Sequence, residues 1–260
     1  MMKMTQQTPT FMDSRIIQNS NFNWSMEYNF SSLPRLKQVT KETGRYYCVE
    51  GDSSLEDMKF YSVTTILGDD PEKRKALNEW KKRVGNEEAN RISKFAAGRG
   101  TRLHDLMEKY IRGYAINLDE VFPHVIEMFL SGIDVLEQKI TKVYGLEERL
   151  FSKQLRMAGT VDGLVEWEGV PSILDFKTSR KLKKKEWIQD YFLQTTAYSI
   201  MWEELTGKKI DQLVVYILVD GESEPQIFKE TTENYKPLLL RRLYEFYQRR
   251  GEDPPPIFLS

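Results

Sequence analysis

An acid and a lysine stand at alternate positions of an otherwise apolar, strand-like run, Ile173-Leu174-Asp175-Phe176-Lys177, followed by Thr178-Ser179. Side chains alternate between the two faces of a strand, so Ile173, Asp175 and Lys177 point one way while Leu174 and Phe176 point the other. An earlier β-favouring run, residues 158–167, is joined to this one through Glu168-Gly169-Val170-Pro171, a connection short enough for a hairpin. It contains Gly159-Thr160-Val161-Asp162-Gly163, where small neighbours let a ligand approach the aspartate closely. Two carboxylates and one ammonium can then converge. Carboxylates that close repel each other unless a proton or cation intervenes, and a hard divalent ion such as Mg2+ satisfies both with oxygen ligands. Taken alone, Asp-x-Lys is also the pattern of an ordinary surface ion pair.

Around this hairpin the chain alternates between helical and extended patterning. Residues 1–44 are rich in Asn, Gln, Ser and Thr without a sustained period, which predicts a polar, loosely packed arm. Residues 46–49 and 60–67 are β-favouring runs around the turn-rich Gly51-Asp52-Ser53-Ser54, predicting a hairpin. Asp69-Asp70-Pro71-Glu72 marks a helix start, with Leu77, Trp80 and Val84 on the helix that follows. Gly98-Arg99-Gly100-Thr101 is expected to interrupt it, before a second helix through Leu103, Leu106, Met107, Tyr110 and Ile111 that carries His104. A further helix is expected over residues 119–142, then strands at 147–152, 158–167 and 172–177. A helix at 187–205, strands at 213–219 and 226–229, and a closing helix at 235–249 complete the pattern before Pro254-Pro255-Pro256.

The length of 260 residues and 40% hydrophobic content suit one large domain, taken as residues 45–260, with a helical part at 71–142 and a catalytic core at 98–230. A single cysteine, Cys48, excludes an internal disulfide and any zinc or iron-sulfur site held by four thiolates of this chain. With no apolar run of the roughly 18 residues a membrane span needs, and a polar N-terminus unlike a secretory signal, a soluble protein of the cytoplasm is expected. The formal net charge is only −1, but positive charge is clustered: ten Lys or Arg against three Glu over residues 73–104, and six without an acid over 177–185. Such stretches are solvated faces or phosphate-binding surfaces.

Three further residues give the triplet company. His104 lies upstream on its helix, and Gln194 and Tyr198 present an amide and a hydroxyl at i and i+4 downstream. The only other histidine, His124, has no such partners in sequence. The order His, Gly-x-x-Asp-Gly, Asp-x-Lys, Gln-x-x-x-Tyr, matched by His104, Gly159 to Gly163, Asp175 to Lys177 and Gln194 to Tyr198, resembles the RecB-type branch of the PD-(D/E)XK nuclease superfamily. Tyr61 to Leu67 and the helix carrying Trp80-Lys81-Lys82-Arg83 are similar to the lead-in of phage exonucleases and the mitochondrial genome maintenance exonuclease.

The resemblance implies an α/β (α+β) fold: a restriction-endonuclease-like core with a central mixed β-sheet flanked by helices, preceded by an N-terminal hairpin and helical extension. It implies that Asp162, Asp175 and His104, with the main-chain carbonyl of Phe176, hold one or two Mg2+ or Mn2+ ions. It further implies that Lys177 orients the attacking water, and that Gln194 and Tyr198 position the substrate strand or the lysine. An acid on the first core strand often contributes in the family, and of Glu147 and Glu148 the second is preferred here. The four-cysteine iron-sulfur cluster of some relatives has no counterpart. The implied activity is exonucleolytic hydrolysis of DNA in replication, recombination or repair, including by virus-encoded members. Trp80, Lys81, Lys82, Arg83, Arg99 and Arg102, with Thr178, Ser179, Arg180 and Lys181, are the candidate DNA contacts, a basic and aromatic mixture suited to single-stranded ends. No Gly-x-x-x-x-Gly-Lys-Ser/Thr motif occurs, so unwinding would fall to a helicase or single-strand-binding partner. The competing reading is a non-catalytic nucleic-acid-binding protein, or an endonuclease, on the same fold.

Overall fold

The computed structural model describes residues 16–259 apart from 20–21, 26, 42–43 and 56–57. In chain order the elements are β1 (Ile16–Ile17), β2 (Arg35–Lys41), β3 (Gly44–Glu50), β4 (Phe60–Ser62), α1 (Val63–Gly68), α2 (Pro71–Val84), α3 (Asn86–Ile111), β5 (Ile116–Asn117) and α4 (Pro123–Lys139). They continue with β6 (Ile140–Ser152), β7 (Met157–Trp167), β8 (Val170–Ser179), α5 (Gln189–Thr206), β9 (Gln212–Val219), β10 (Gln226–Thr231) and α6 (Thr232–Arg250). Eight strands form one mixed sheet in the order β10-β9-β8-β7-β4-β3-β2, with β6 along β7. The β8–β9 and β4–β7 pairings are parallel and the others antiparallel.

Helices cover both faces. On one, α1, α5 and α6 bury Phe192, Trp202, Leu239 and Phe246 against Val161, Ile173, Val215 and Ile217. On the other, α3 and α4 bury Leu103, Met107 and Phe129 against Leu174, Phe176, Val214 and Tyr216. All of Leu213 to Val219 is buried, as a strand covered on both sides requires. The fold is the mixed α/β architecture expected, and Ile173 and Phe176 of β8 face opposite layers as the alternation predicts. Among the described residues no helix is long and apolar enough to cross a membrane.

Several local expectations differ. Val63 to Gly68 is a helix, although its β-branched run reads as strand. Ser62 caps it by accepting the Thr65 amide at 3.0 Å, and Val63, Ile66 and Leu67 are buried at helical spacing, so packing overrides propensity. The segment Gly98-Arg99-Gly100-Thr101 does not interrupt its helix, since α3 runs unbroken for 26 residues, carried by its buried stripe through Leu103, Leu106, Met107 and Tyr110. The break falls instead at Gly85, whose φ of 89° an L side chain rarely adopts. Within the arm, residues 35–41 pair with β3 along its length, and Tyr28 packs edge-on against Trp202 at 4.4 Å. The helix expected over 119–142 ends at Lys139, because Ile140 begins the long strand β6. The β7–β8 turn is tighter than four residues: Trp167 pairs with Val170, leaving Glu168 (φ 53°) and Gly169 (φ 81°) as a two-residue turn with both angles positive.

Helix α2 is tied down at its start. The Asp70 carboxylate accepts the Glu72 amide at 2.9 Å and also pairs with Arg242 of α6. Burial opposes ionisation of Asp70, but Arg242 and the amides of Lys73 and Glu72 outweigh it and hold its carboxyl below the ordinary range. A depressed folded-state value means the stabilisation is present at neutral pH and is lost as the pH falls through that value. Asp70→Asn, which keeps a capping oxygen but not the charge, should therefore lower the unfolding free energy by about 1–2 kcal/mol at neutral pH. In urea melts the deficit should narrow toward about pH 3, below the ordinary carboxyl value; an undiminished deficit there would contradict this role.

Candidate active site

The β7–β8 ladder runs from Trp167–Val170 to Gly163–Leu174 and stops. One step further, the register would set Asp162 directly against Asp175. Instead β8 continues with β9 as far as Ser179, while β7 stays with β6 and receives β4 at Met157 and Ala158. A fork opens between the strands where the two carboxylates meet. Tyr198 of α5 reaches into it: a Cβ on Gly159 would lie 2.8 Å from the tyrosine ring, so only glycine leaves that space.

Both helical layers reach the fork. The Phe176 amide, released from the ladder, donates to Asp162 Oδ2 at 2.7 Å, and His104 Nδ1 from α3 lies 3.5 Å from Asp162 Oδ1. Asp175 is 1% exposed and faces Lys177, whose Nζ lies 2.7 Å from Oδ1 and 2.6 Å from Oδ2. Only Oδ1 accepts in hydrogen-bond geometry, so Oδ2 is a buried acceptor without a donor. From α5, Tyr191 places its ring 5.2 Å from the lysine Nζ, and Gln194 donates to the Tyr198 hydroxyl at 3.3 Å.

These contacts set the charges. Burial works against the Asp162 carboxylate, yet His104, Lys177 and the Phe176 amide hold it below the ordinary carboxyl range. Asp175 is pushed up, by burial first and then by Asp162, with Lys177 opposing. His104 is raised because the Asp162 carboxylate outweighs its desolvation.

Of the two candidate acids on β6, the structure brings in Glu147 and not Glu148. Ligand atoms of His104, Glu147 and Asp162 all lie within 4.8 Å of one another. Register shifts after Ile140 and Val143 each insert a residue into β6, and such bulges change which residues share a face. Glu147 also has a φ of 54° in mid-strand, whereas the other non-glycine residues with positive φ among the described residues, Arg156 and Glu168, sit in turns. Strain of that kind persists where the surroundings enforce it. Here Arg112 Nη2 donates to the neighbouring Leu146 carbonyl at 2.8 Å. The Glu147 carboxyl is raised to about 7 by burial, Asp162 and Glu108.

A model of the PD-(D/E)XK nuclease superfamily matches residues 59–250. The chain belongs to that superfamily. It is also 32% identical over 65 residues, a quarter of its length, to an ATP-dependent helicase/nuclease subunit from Ligilactobacillus salivarius, and it spans 5% of that relative's length. Nucleases of this superfamily use divalent metal ions, and the donors present fit one. Two carboxylates and an imidazole are close together, oxygen-rich and partly desolvated, and the buried Asp175 Oδ2, with only the Lys177 ammonium beside it, lies at the same fork.

The structure brings His104, Asp162, Asp175, Lys177, Gln194 and Tyr198 together, as the sequence pattern grouped them, and adds Tyr191, whose signal is its place on the stripe Tyr191, Gln194, Tyr198 at helical spacing. The candidate DNA contacts are scattered more widely. Lys82 and Arg83 are exposed on α2, Trp80 and Lys81 half-buried, and no residue of α2 is buried. Arg102 is exposed 3.9 Å from Asp105, Thr178 is half-buried beside α3, and Arg180 and Lys181 are exposed. Two differ from a surface contact. Ser179 is buried and its hydroxyl donates to the Lys181 carbonyl at 2.5 Å, closing a turn, and Arg99 is 5% exposed, inside a cleft.

Glu147→Gln should weaken Mn2+ binding by roughly tenfold or more in calorimetry, while Glu148→Gln leaves it near wild type; the reverse ranking would refute the placement. Gly159→Ala should lower stability by about 1–3 kcal/mol through overpacking against Tyr198 and reduce nucleolytic turnover with it. A variant indistinguishable from wild type in both denaturation and turnover would show that the contact is not needed.

Proposed function

We propose that this protein is a divalent-metal-dependent deoxyribonuclease that digests single-stranded DNA from an end. The observation that carries the reading is the convergence of His104, Glu147 and Asp162 with the Asp175–Lys177 pair where β7 and β8 part. Hydrolysis of a phosphodiester needs a placed water and compensation for negative charge growing on phosphate oxygens. Glu147, Asp162, His104 and Asp175, with the Phe176 carbonyl, are the groups that would hold one or two Mg2+ or Mn2+ ions. Such an ion, when bound, polarises phosphate oxygen and lowers the pKa of water.

Lys177 supplies the fixed organic cation. Burial would favour its neutral form, but Asp175 and Asp162 raise it above the ordinary lysine value, so it stays protonated and donates hydrogen bonds instead of removing a proton. The Tyr191 ring beneath its Nζ limits where the ammonium can swing. Gln194 and Tyr198 border a cleft shared with Arg45 and Thr160, which gives the strand a polar wall on the α5 side.

Preference for single-stranded ends is supported by the exposed basic helix α2 with Trp80, charge for the backbone and an aromatic for stacking. Opening of duplex ends would fall to a helicase, and protection of the product strand to a single-strand-binding protein. The test is incubation with end-labelled linear single-stranded and duplex DNA in Mg2+, Mn2+ or chelator, beside Asp175→Ala and Lys177→Ala. Each substitution should lower the rate by about 10²–10³-fold or more, chelator should abolish cleavage, and a circular single strand should persist. Equal cleavage by the variants would overturn the catalytic assignment, rapid loss of the circle the end requirement, and DNA binding without cleavage in any ion would favour the non-catalytic reading.

A further inference from the structure

Beyond the fork, at the carboxyl ends of the parallel pair β8 and β9, the chain forms a cleft of about 230 Å³ against the N-terminal half of α3. Crevices outside the carboxyl ends of parallel strands are where open α/β sheets receive ligands. Ser179, the last residue of β8, and Asp220, the first after β9, are tied by the Asp220 amide donating to the Ser179 carbonyl at 2.9 Å. From α3, Arg99 enters with 5% exposure, and its Nε and Nη1 have no hydrogen-bond acceptor. Asp220 lies 3.6 Å from Nη1, an ion pair too long for a hydrogen bond. Arg180 and Arg91 complete the polar rim; Arg91 is already paired with Glu88 at 2.7 Å, so Arg99 and Arg180 are left with Asp220 as the one carboxylate of the lining.

A buried guanidinium with unused donors is costly unless an anion meets it, and its planar fork suits phosphate. The wall that α3 itself forms, with Ile92 and Ala96, is apolar and carries Phe95, a ring 54% exposed, one turn before Arg99. His124 stacks on Phe95 at 5.2 Å with 25° between planes, and Phe122, 72% exposed, stacks on His124 at 6.0 Å and 21°. His124, stacked between the two phenylalanines, backs the Phe95 ring, whose exposed side remains for a base, a contact made without sequence preference. The cleft is smaller than the roughly 300–1,000 Å³ of drug-sized sites, so it suits one planar unit with its phosphate.

We propose that this cleft binds one nucleotide unit of the substrate strand, its phosphate on Arg99 and Arg180 and its base against Phe95. The assignment rests on the nuclease reading for the identity of the ligand, but its geometry is separate from the metal-binding residues. Arg99 stands five residues before His104, about 7–8 Å along the same helix, and Arg180 three residues after Lys177. A strand seated here would therefore be led toward the fork.

The test uses the full chain in chelator, with thymidine 5′-monophosphate, thymidine and inorganic phosphate as calorimetric probes. The monophosphate should bind more tightly than either part. Arg180→Ala should weaken it tenfold or more, and Phe95→Ala should weaken the monophosphate while sparing inorganic phosphate. Both residues are exposed, so the variants are expected to fold, and Asp175→Ala should retain binding. Binding unchanged in Arg180→Ala and Phe95→Ala, no binding to wild type, or loss in Asp175→Ala but not in Arg180→Ala would overturn the assignment. Cleavage of linear single strands, measured in parallel, separates the two claims: loss of cleavage with intact nucleotide binding removes only the nuclease reading.

Discussion

Two carboxylates opposed across one hairpin cannot both sit ionised in a dry sheet. At the pair Asp162 and Asp175 the β7–β8 ladder ends, and the site is built in the gap that results. The released Phe176 amide becomes a donor to Asp162, the ammonium of Lys177 answers Asp175, and Tyr198 fills the space that glycine leaves at position 159. Burying such charges costs several kcal/mol per ion unless partners meet them. The protein meets this cost with partners from β8, α3 and α5, and leaves the close Glu147–Asp162 pair for a cation.

The fork also explains why groups from opposite layers can share one centre. His104 belongs to the layer of α3 and α4, Tyr191 and Tyr198 to that of α5 and α6, and a continuous sheet would keep them apart. Where β7 and β8 diverge, the imidazole reaches Asp162 from one side and the tyrosines approach the lysine and glycine from the other. Past Ser179 the chain leads on to the arginine-lined cleft, so Asp175, Lys177 and Arg180 follow one another along and just beyond β8, and His104 and Arg99 share α3.

Much of this was legible in sequence because it depends on period-two alternation within single strands. Ile173, Asp175 and Lys177 face together, and the short turn brings Asp162 to them. What stayed hidden depends on long-range packing. Glu147 and Glu148 cannot be ranked from alternation, because the two register shifts in β6 arise from how that strand bends over β7. The β-branched Val63 to Ile66 segment becomes helix through a serine cap and burial against α5 and α6, and the glycines of Gly98-Arg99-Gly100-Thr101 are carried by the packing of α3. Residues 35–41 looked like polar arm because an edge strand beside β3 needs few apolar side chains.

The central claim is that the parting of β7 and β8 creates a cation site completed by a strained glutamate from β6. Anomalous scattering from crystals grown with Mn2+ addresses it directly, because it locates the ion without relying on activity. The account predicts density in contact with the carboxylates of Glu147 and Asp162 and with His104; density on Glu148, or an ion held away from the fork, would contradict it.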